Sequence, residues 1–194
     1  MARTRKNRNS NNKTKKQRIF KKGDFYSGDG FLTTVWGPGQ WFVLHTISFN
    51  YPVKPTKEQK KHYFNFYNNL QNILPCKYCR DNIVKNMEKI PLNMKVFKNR
   101  ENLSTWVYEL HEIVNKMLNK VSGLSFEDIR QRYETFRARC IVEDSKLNYK
   151  TNIETGCTEP LYGSKSQCIL NIVPKDARKK SLTIDSHCIL KKKK

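Results

Sequence analysis

The run Leu103-Ser104-Thr105-Trp106-Val107-Tyr108-Glu109-Leu110-His111-Glu112-Ile113-Val114-Asn115-Lys116-Met117-Leu118-Asn119-Lys120-Val121 decides the fold class. Leu103, Trp106, Val107, Leu110, Val114, Met117, Leu118 and Val121 recur at the 3.6-residue period of an α-helix with one apolar stripe. Asn99 or Asn102 is the expected cap, and Gly123 the expected stop. His111 and Asn115, four apart, lie at the edge of the stripe.

The same period extends in both directions. Downstream, Ser125-Phe126-Glu127-Asp128 predicts the start of a short fifth helix reaching about Arg139, with Ile129, Tyr133 and Phe136 on one face. Upstream, Cys76-Lys77-Tyr78-Cys79 stands after Pro75 and opens a helix with Cys79, Ile83 and Met87 on one side, broken by Pro91. Before it, Thr56 with Gln59 three residues later predicts a capping box and a helix of about eighteen residues with a broad aromatic face. The first helix is expected from Pro38, or just after it, to about Asn50. It carries Trp41, Leu44, His45 and Ser48 on one stripe. Residues 23–34, rich in Gly, Asp and Ser, read as an entry loop. The plan is all-α: a four-helix bundle with a short fifth helix and short connections.

Charge divides the chain. Of 38 Lys+Arg and 17 Asp+Glu, residues 1–22 hold ten basic and no acidic residues. That segment reads as a flexible basic arm, attracted weakly to nucleic acid or anionic surfaces. Residues 23–140, with seventeen basic and eleven acidic residues, form the expected domain. Residues 141–194 lose the periodicity and read as an irregular, cysteine-containing extension with a basic C-terminus and a short strand at 169–173. No apolar run has the length of a membrane span. The basic start has no hydrophobic region behind it, so no secretory leader is expected. Six cysteines in such a chain favour redox chemistry over structural stapling.

A Cys-x-x-Cys pair at a helix N-terminus is a redox centre or half of a zinc site, because unpaired N–H groups favour a thiolate there. A disulfide needs an acceptor for its two electrons, and flavin is the usual one. Trp41, His45, His111 and Asn115 are residue types that could wall such a ring. Singly, each also reads as a core side chain.

The order Gly37-x-x-x-Trp41-x-x-Leu44-His45-Thr46, Tyr51-Pro52, Pro75-Cys76-x-x-Cys79, Trp106, His111-x-x-Val114-Asn115-Lys116-x-Leu118-x-Lys120 and Arg132-Tyr133 resembles the Erv/ALR FAD-linked sulfhydryl oxidases over residues 36–140. Trp36 to Pro52, the ending of the fifth helix and the later Gly156-Cys157-Thr158-Glu159-Pro160 look most like members encoded by giant DNA viruses. Three departures stand out: Pro38 where members often carry Arg, Glu112 where Asn is usual after the histidine, and no cysteine before the fifth helix.

The resemblance implies a FAD-dependent thiol oxidase that forms disulfides in protein substrates. Electrons would pass from thiols through Cys76 and Cys79 to FAD and then to oxygen, giving hydrogen peroxide. Cys79 would face the flavin and Cys76 would exchange with substrate. Gly37, Trp41, His45, His111, Asn115, Lys116, Lys120 and Tyr133 would contact FAD, with no metal. Cys140, Cys157, Cys168 and Cys188 are candidates for a shuttle. A homodimer is implied, located in the host cytoplasm at the viral factory, with the virion as a second place. Two other readings stand beside it: a zinc-bound helical module using Cys76, Cys79 and downstream cysteines, and a nucleic-acid-associated or virion protein working through its arm.

Overall fold

The computed structural model describes residues 21–26, 28–139, 157, 159–174 and 183–189. Five α-helices carry the fold: α1 (Thr33–Phe49), α2 (Lys57–Ile73), α3 (Lys77–Lys89), α4 (Arg100–Met117) and α5 (Phe126–Glu134). α1 packs on α4, α2 on α3, and α3 on α4, while α5 crosses both α1 and α4. The core between them holds Leu44, Tyr67, Leu70, Ile83, Leu103, Trp106, Val107 and Leu110, with Tyr51 and Phe97 from the connections. Each such side chain contributes about 1.5–3 kcal/mol by leaving water. Its polar tips are satisfied. Tyr67 donates its hydroxyl to the Leu44 carbonyl at 2.8 Å, Tyr51 to Phe97 at 2.9 Å, and the Trp106 indole to Ile90 at 3.0 Å.

The caps explain most boundaries. Thr56 and Gln59 form the expected capping box on α2, and Ser125 and Asp128 form one on α5. Asn99, rather than Asn102, caps α4, its side chain accepting from the Asn102 N–H at 2.9 Å.

α1 departs from expectation. It begins five residues before Pro38, and residues 22–26 form a 3-10 turn instead of open loop. Leu32 precedes it without any side-chain cap, so no sequence signal marks the start. Pro38 therefore falls in the second turn, where it has no N–H to give the Thr34 carbonyl. Thr34 is exposed, so water can serve it.

α4 stops at Met117 rather than near Val121, because Asn119 takes a left-handed φ of 53°. Val121 is left 94% exposed, off the apolar stripe that the period assigned to it.

α5 stops at Glu134 instead of about Arg139. Two residues, β1 (Ala138–Arg139), pair antiparallel with β2 (Glu159–Pro160). Arg137 sits between helix and strand, ion-paired with Glu134 and donating to the Phe49 carbonyl at the end of α1 at 2.7 Å. The expected strand at 169–173 is absent. Ile169, Leu170 and Ile172 are exposed, and no neighbouring chain segment pairs with them among the described residues. Leu170 instead leans toward Gly39 of α1, within 3.7 Å of where a Cβ would stand. Residues 1–20 of the basic arm lie outside the described residues, as does Cys140. No described helix is long and apolar enough to cross a membrane.

Candidate functional site

The thiol pair sits where the starts of α1 and α3 meet. Cys76 is the N-cap of α3, in extended conformation, and its Sγ accepts from the Cys79 N–H at 3.4 Å. Residues 29–31 run across it as an isolated antiparallel bridge. The Phe31 N–H donates to the Pro75 carbonyl at 2.7 Å, and the Lys77 N–H to the Asp29 carbonyl at 3.1 Å. Gly30 lies opposite Cys76 with φ of 91°, and a Cβ there would stand 2.1 Å from the Pro75 oxygen. Only glycine fits. The Trp36 indole holds this strap from behind through the Phe31 carbonyl at 3.0 Å. Two residues later Thr33 opens α1, and its hydroxyl favours the thiolate form of both cysteines.

These contacts divide the two sulfurs. Burial alone would raise the Cys76 thiol. Hydrogen bonds from the Cys79 thiol and N–H, the Thr33 hydroxyl and the Tyr78 N–H overcome it and bring Cys76 below the usual cysteine range. Burial pushes Cys79 up to about 11, with the neighbouring Cys76 adding to it. Thr33 and the Arg80 guanidinium oppose that rise. Arg80 is fixed by its bond to the Leu74 carbonyl at 2.6 Å. Cys76 is thus the more nucleophilic sulfur at neutral pH, yet it is only 7% exposed, while Cys79 is half-buried.

The second cluster lies farther along α1. Trp41 and His45 are eight and twelve residues beyond Thr33, or about 12 and 18 Å along the helix axis. Trp41 stacks on His111 of α4, centroids 3.9 Å apart and planes at 5°. His45 Nε2 and His111 Nδ1 share a hydrogen bond at 3.0 Å. Tyr133 of α5 stacks on His45 at 5.2 Å and on Phe49 at 5.3 Å, and Phe42 closes the edge.

Burial keeps both imidazoles neutral. His45 is pushed down to about 3, helped by His111 and Arg132, and His111 to about 4, where Lys120 adds to burial and Glu112 opposes it. His45 Nδ1 is buried without any hydrogen-bond partner, a costly state for a polar atom.

The sequence-derived residues therefore divide. Trp41, His45, His111 and Tyr133 meet in one ring cluster, and Cys76 and Cys79 in the thiol pair. Asn115 sits beside the ring cluster, donating to Glu112 at 2.9 Å, and Lys120 and Lys116 are exposed at and beyond the end of α4. Gly37 is buried one turn before Trp41, but a Cβ there would meet only a Thr33 methyl at 3.6 Å. Among the shuttle candidates, Cys157 is disulfide-bonded and Cys140 lies outside the described residues. Cys168 is free and exposed, and Cys188 is free and half-buried. Thr33, Arg80 and the strap were not singled out by the motif. Their roles come from contacts between elements far apart in sequence. No group of three or more His, Cys, Asp or Glu among the described residues is placed to hold a metal ion.

A family model described as the Erv1 / Alr family matches residues 38–134, half of the chain. This chain belongs to the Erv1/Alr family. Relatives of this Erv1/Alr protein include "Probable FAD-linked sulfhydryl oxidase R368" of Acanthamoeba polyphaga mimivirus. It is 38% identical over 85 residues, 44% of this chain and 59% of the relative. The "Mitochondrial FAD-linked sulfhydryl oxidase ERV1" of Saccharomyces cerevisiae is 38% identical over 85 residues, 43% of each chain. The "FAD-linked sulfhydryl oxidase" of African swine fever virus (isolate Pig/Kenya/KEN-50/1950) is 30% identical over 99 residues, 51% of this chain and 80% of that one. The match thus spans about half the length of the first two of these relatives.

Proposed function

We propose that this Erv1/Alr protein is a FAD-dependent thiol oxidase that forms disulfides in thiol-containing protein substrates. The observation that carries the reading is the division of Cys76 and Cys79. One sulfur is held below and the other above the usual range, at the start of α3 and beside the strap that leads into α1, which farther along joins α4 and α5 in a wall of neutral flat rings. The residues fit FAD by their donor set. Trp41 and His111 offer stacking faces, and His45 Nδ1 is a buried polar atom still lacking a partner. Lys116, Lys120 and Arg132 supply positive charge nearby for a diphosphate, with Asn115, Gly37 and Tyr133 completing the contact set. When bound, FAD takes two electrons from the thiol pair and passes them to oxygen, giving hydrogen peroxide.

The chain's own residues then have distinct tasks. With Cys76 and Cys79 joined as a disulfide, a substrate thiolate attacks Cys76 Sγ and Cys79 leaves as thiolate. A second substrate thiolate attacks the substrate sulfur of this mixed disulfide, releasing oxidised substrate and Cys76. Thr33 and the backbone N–H groups at the start of α3 favour the negative charge that Cys76 takes as it leaves the mixed disulfide.

Cys168 is the favoured shuttle, because Leu170 two residues later leans on Gly39, six residues along α1 from Thr33. Cys188, also free, stays as the first alternative, with Cys140 and the disulfide-bonded Cys157 after it. The same reading includes a homodimer, a catalytic domain over 23–140 between the arm and the extension, and weak anionic contacts through residues 1–22. The viral relatives support a place in the host cytoplasm and virion.

The test is a visible spectrum of the purified protein before and after dithiothreitol under air. A flavin spectrum that bleaches and recovers, with oxygen consumed and peroxide formed, is the expected result. A colourless, folded protein that consumes no oxygen sinks the proposal.

A further inference from the structure

Cys76 presents a conflict between chemistry and position. Thiol exchange needs an approach to the sulfur, and the strap at 29–31 leaves only 7% of this residue exposed. The way the strap covers it shows what replaces it. Its two hydrogen bonds flank the Gly30–Cys76 pair rather than joining it, running from the Phe31 N–H to the Pro75 carbonyl and from the Lys77 N–H to the Asp29 carbonyl. This is the narrow, non-hydrogen-bonded pair of an antiparallel ladder, with Cα atoms about 4.5 Å apart and paired side chains on one face. Cysteines at that separation fall within the range that a disulfide spans. The residue opposite Cys76 is, however, a glycine, with no side chain to react.

From this geometry we infer that the Pro75 carbonyl and the Lys77 N–H form a docking edge for an extended peptide with its cysteine opposite Cys76. The strap occupies that edge in cis as an unreactive stand-in. The inference rests on the thiol-oxidase reading and names how its substrate is held: by main-chain pairing, tolerant of substrate sequence. The strap leaves when the peptide enters. In the docked register the substrate cysteine takes an ordinary negative φ, which frees it from the clash that confines position 30 to glycine. The residue after it donates its N–H to Pro75, and the residue before it accepts from Lys77.

Two measurements test this without using flavin or oxygen. In the first, the reduced full-length chain is alkylated with iodoacetamide and Cys76 modification is followed by peptide mapping. Gly30→Ala drives a methyl into Pro75, and Phe31→Pro removes the N–H that the strap donates. Each is expected to speed Cys76 alkylation by about tenfold or more. If Gly30→Ala does not fold, Phe31→Pro, which adds no atom at position 30, carries the reading. Unchanged alkylation in a folded variant overturns the cap.

In the second, reduced Cys79→Ser protein is mixed with a short peptide bearing one cysteine as its 2-thiopyridyl disulfide. The Cys76 thiolate attacks the peptide sulfur, the mixed disulfide forms, and pyridine-2-thione is released and counted. N-methylation of the residue immediately after the peptide cysteine is expected to slow trapping by about fivefold or more, by removing one hydrogen bond. N-methylation one residue further on is expected to leave the rate alone. Equal rates for all three peptides overturn the docking edge. A chain that traps selectively but consumes no oxygen keeps the docking edge and loses the oxidase reading instead.

Discussion

At the start of α1 the two sulfurs are held by main chain: a bridge through 29–31, a helix cap, and a glycine that admits no side chain. Farther along the same helix, His45 and its partner His111 of α4 are held by rings stacked from three helices, with no backbone pairing at all. The first arrangement fixes a position through short hydrogen bonds that can be exchanged for those of another peptide. The second fixes a surface through contact area, and can be rebuilt only by repacking α1, α4 and α5 together. A region meant to open and a region meant to stay are thereby made of different interactions on one scaffold.

The largest expected effects come from breaking each region alone. Cys79→Ser should abolish dithiothreitol oxidation while the protein stays yellow, since the sulfur is lost and the ring wall is not. Trp41→Ala should do the reverse, losing bound flavin through the missing His111 stack, with Cys76 alkylation unchanged. Oxygen uptake and the visible spectrum, read together, check both. Oxidase activity in Cys79→Ser would undo the assignment of the thiol end, and full flavin content in Trp41→Ala that of the ring end.

A smaller effect separates the two regions by pH. His45 and His111 titrate near 3 and 4 when folded and near 6.5 when unfolded. Below 6.5 the unfolded chain takes up protons that the folded chain refuses. Their contribution to stability is therefore fully present above about 6.5 and falls as pH drops toward 4, with a limiting slope of about two protons. Urea midpoints of the flavin-free protein across that range measure it. His45→Asn should halve the slope, and an unaltered slope would mean that His45 is not held neutral.

The smallest effect is at the thiol end. Thr33→Val removes one donor to the Cys76 thiolate, so its alkylation profile should move to higher pH. The rate at neutral pH should fall about two- to fivefold, and Thr33→Ser should restore it. An unmoved profile would show that the hydroxyl does not bear on the charge.

The all-α plan and the caps were legible because they depend on neighbours in sequence. Thr56 with Gln59, Ser125 with Asp128 and Asn99 with Asn102 each make their bonds within three residues. The limits of α1, α4 and α5 were not. Leu32 offers no cap. Asn119 turns left-handed before the apolar period ends. Residues 138–139 are drawn from helix to strand by a partner twenty residues away. The thiol pair could be named from its Cys-x-x-Cys spacing, and Trp41, His45 and His111 from the helix faces they share, while Tyr133 came only through the family resemblance. That Cys76 would be covered could not be read, because the cover comes from residues 29–31, which carry the composition of a loop and gain structure only against Pro75 and Lys77.

The place of Thr33, at the start of α1 and next to the strap over Cys76, bears on the redox couple. Cys76 caps α3 and Thr33 opens α1, so the positive ends of two helix dipoles converge on one dithiol. At the other end of α1, Arg137 answers the negative pole through the Phe49 carbonyl. Two converging poles favour the reduced pair, with its charge on Cys76, over the neutral disulfide. That moves the reduction potential toward the oxidising side, so that the Cys76–Cys79 disulfide draws electrons from substrate thiols more readily than one capping a single helix.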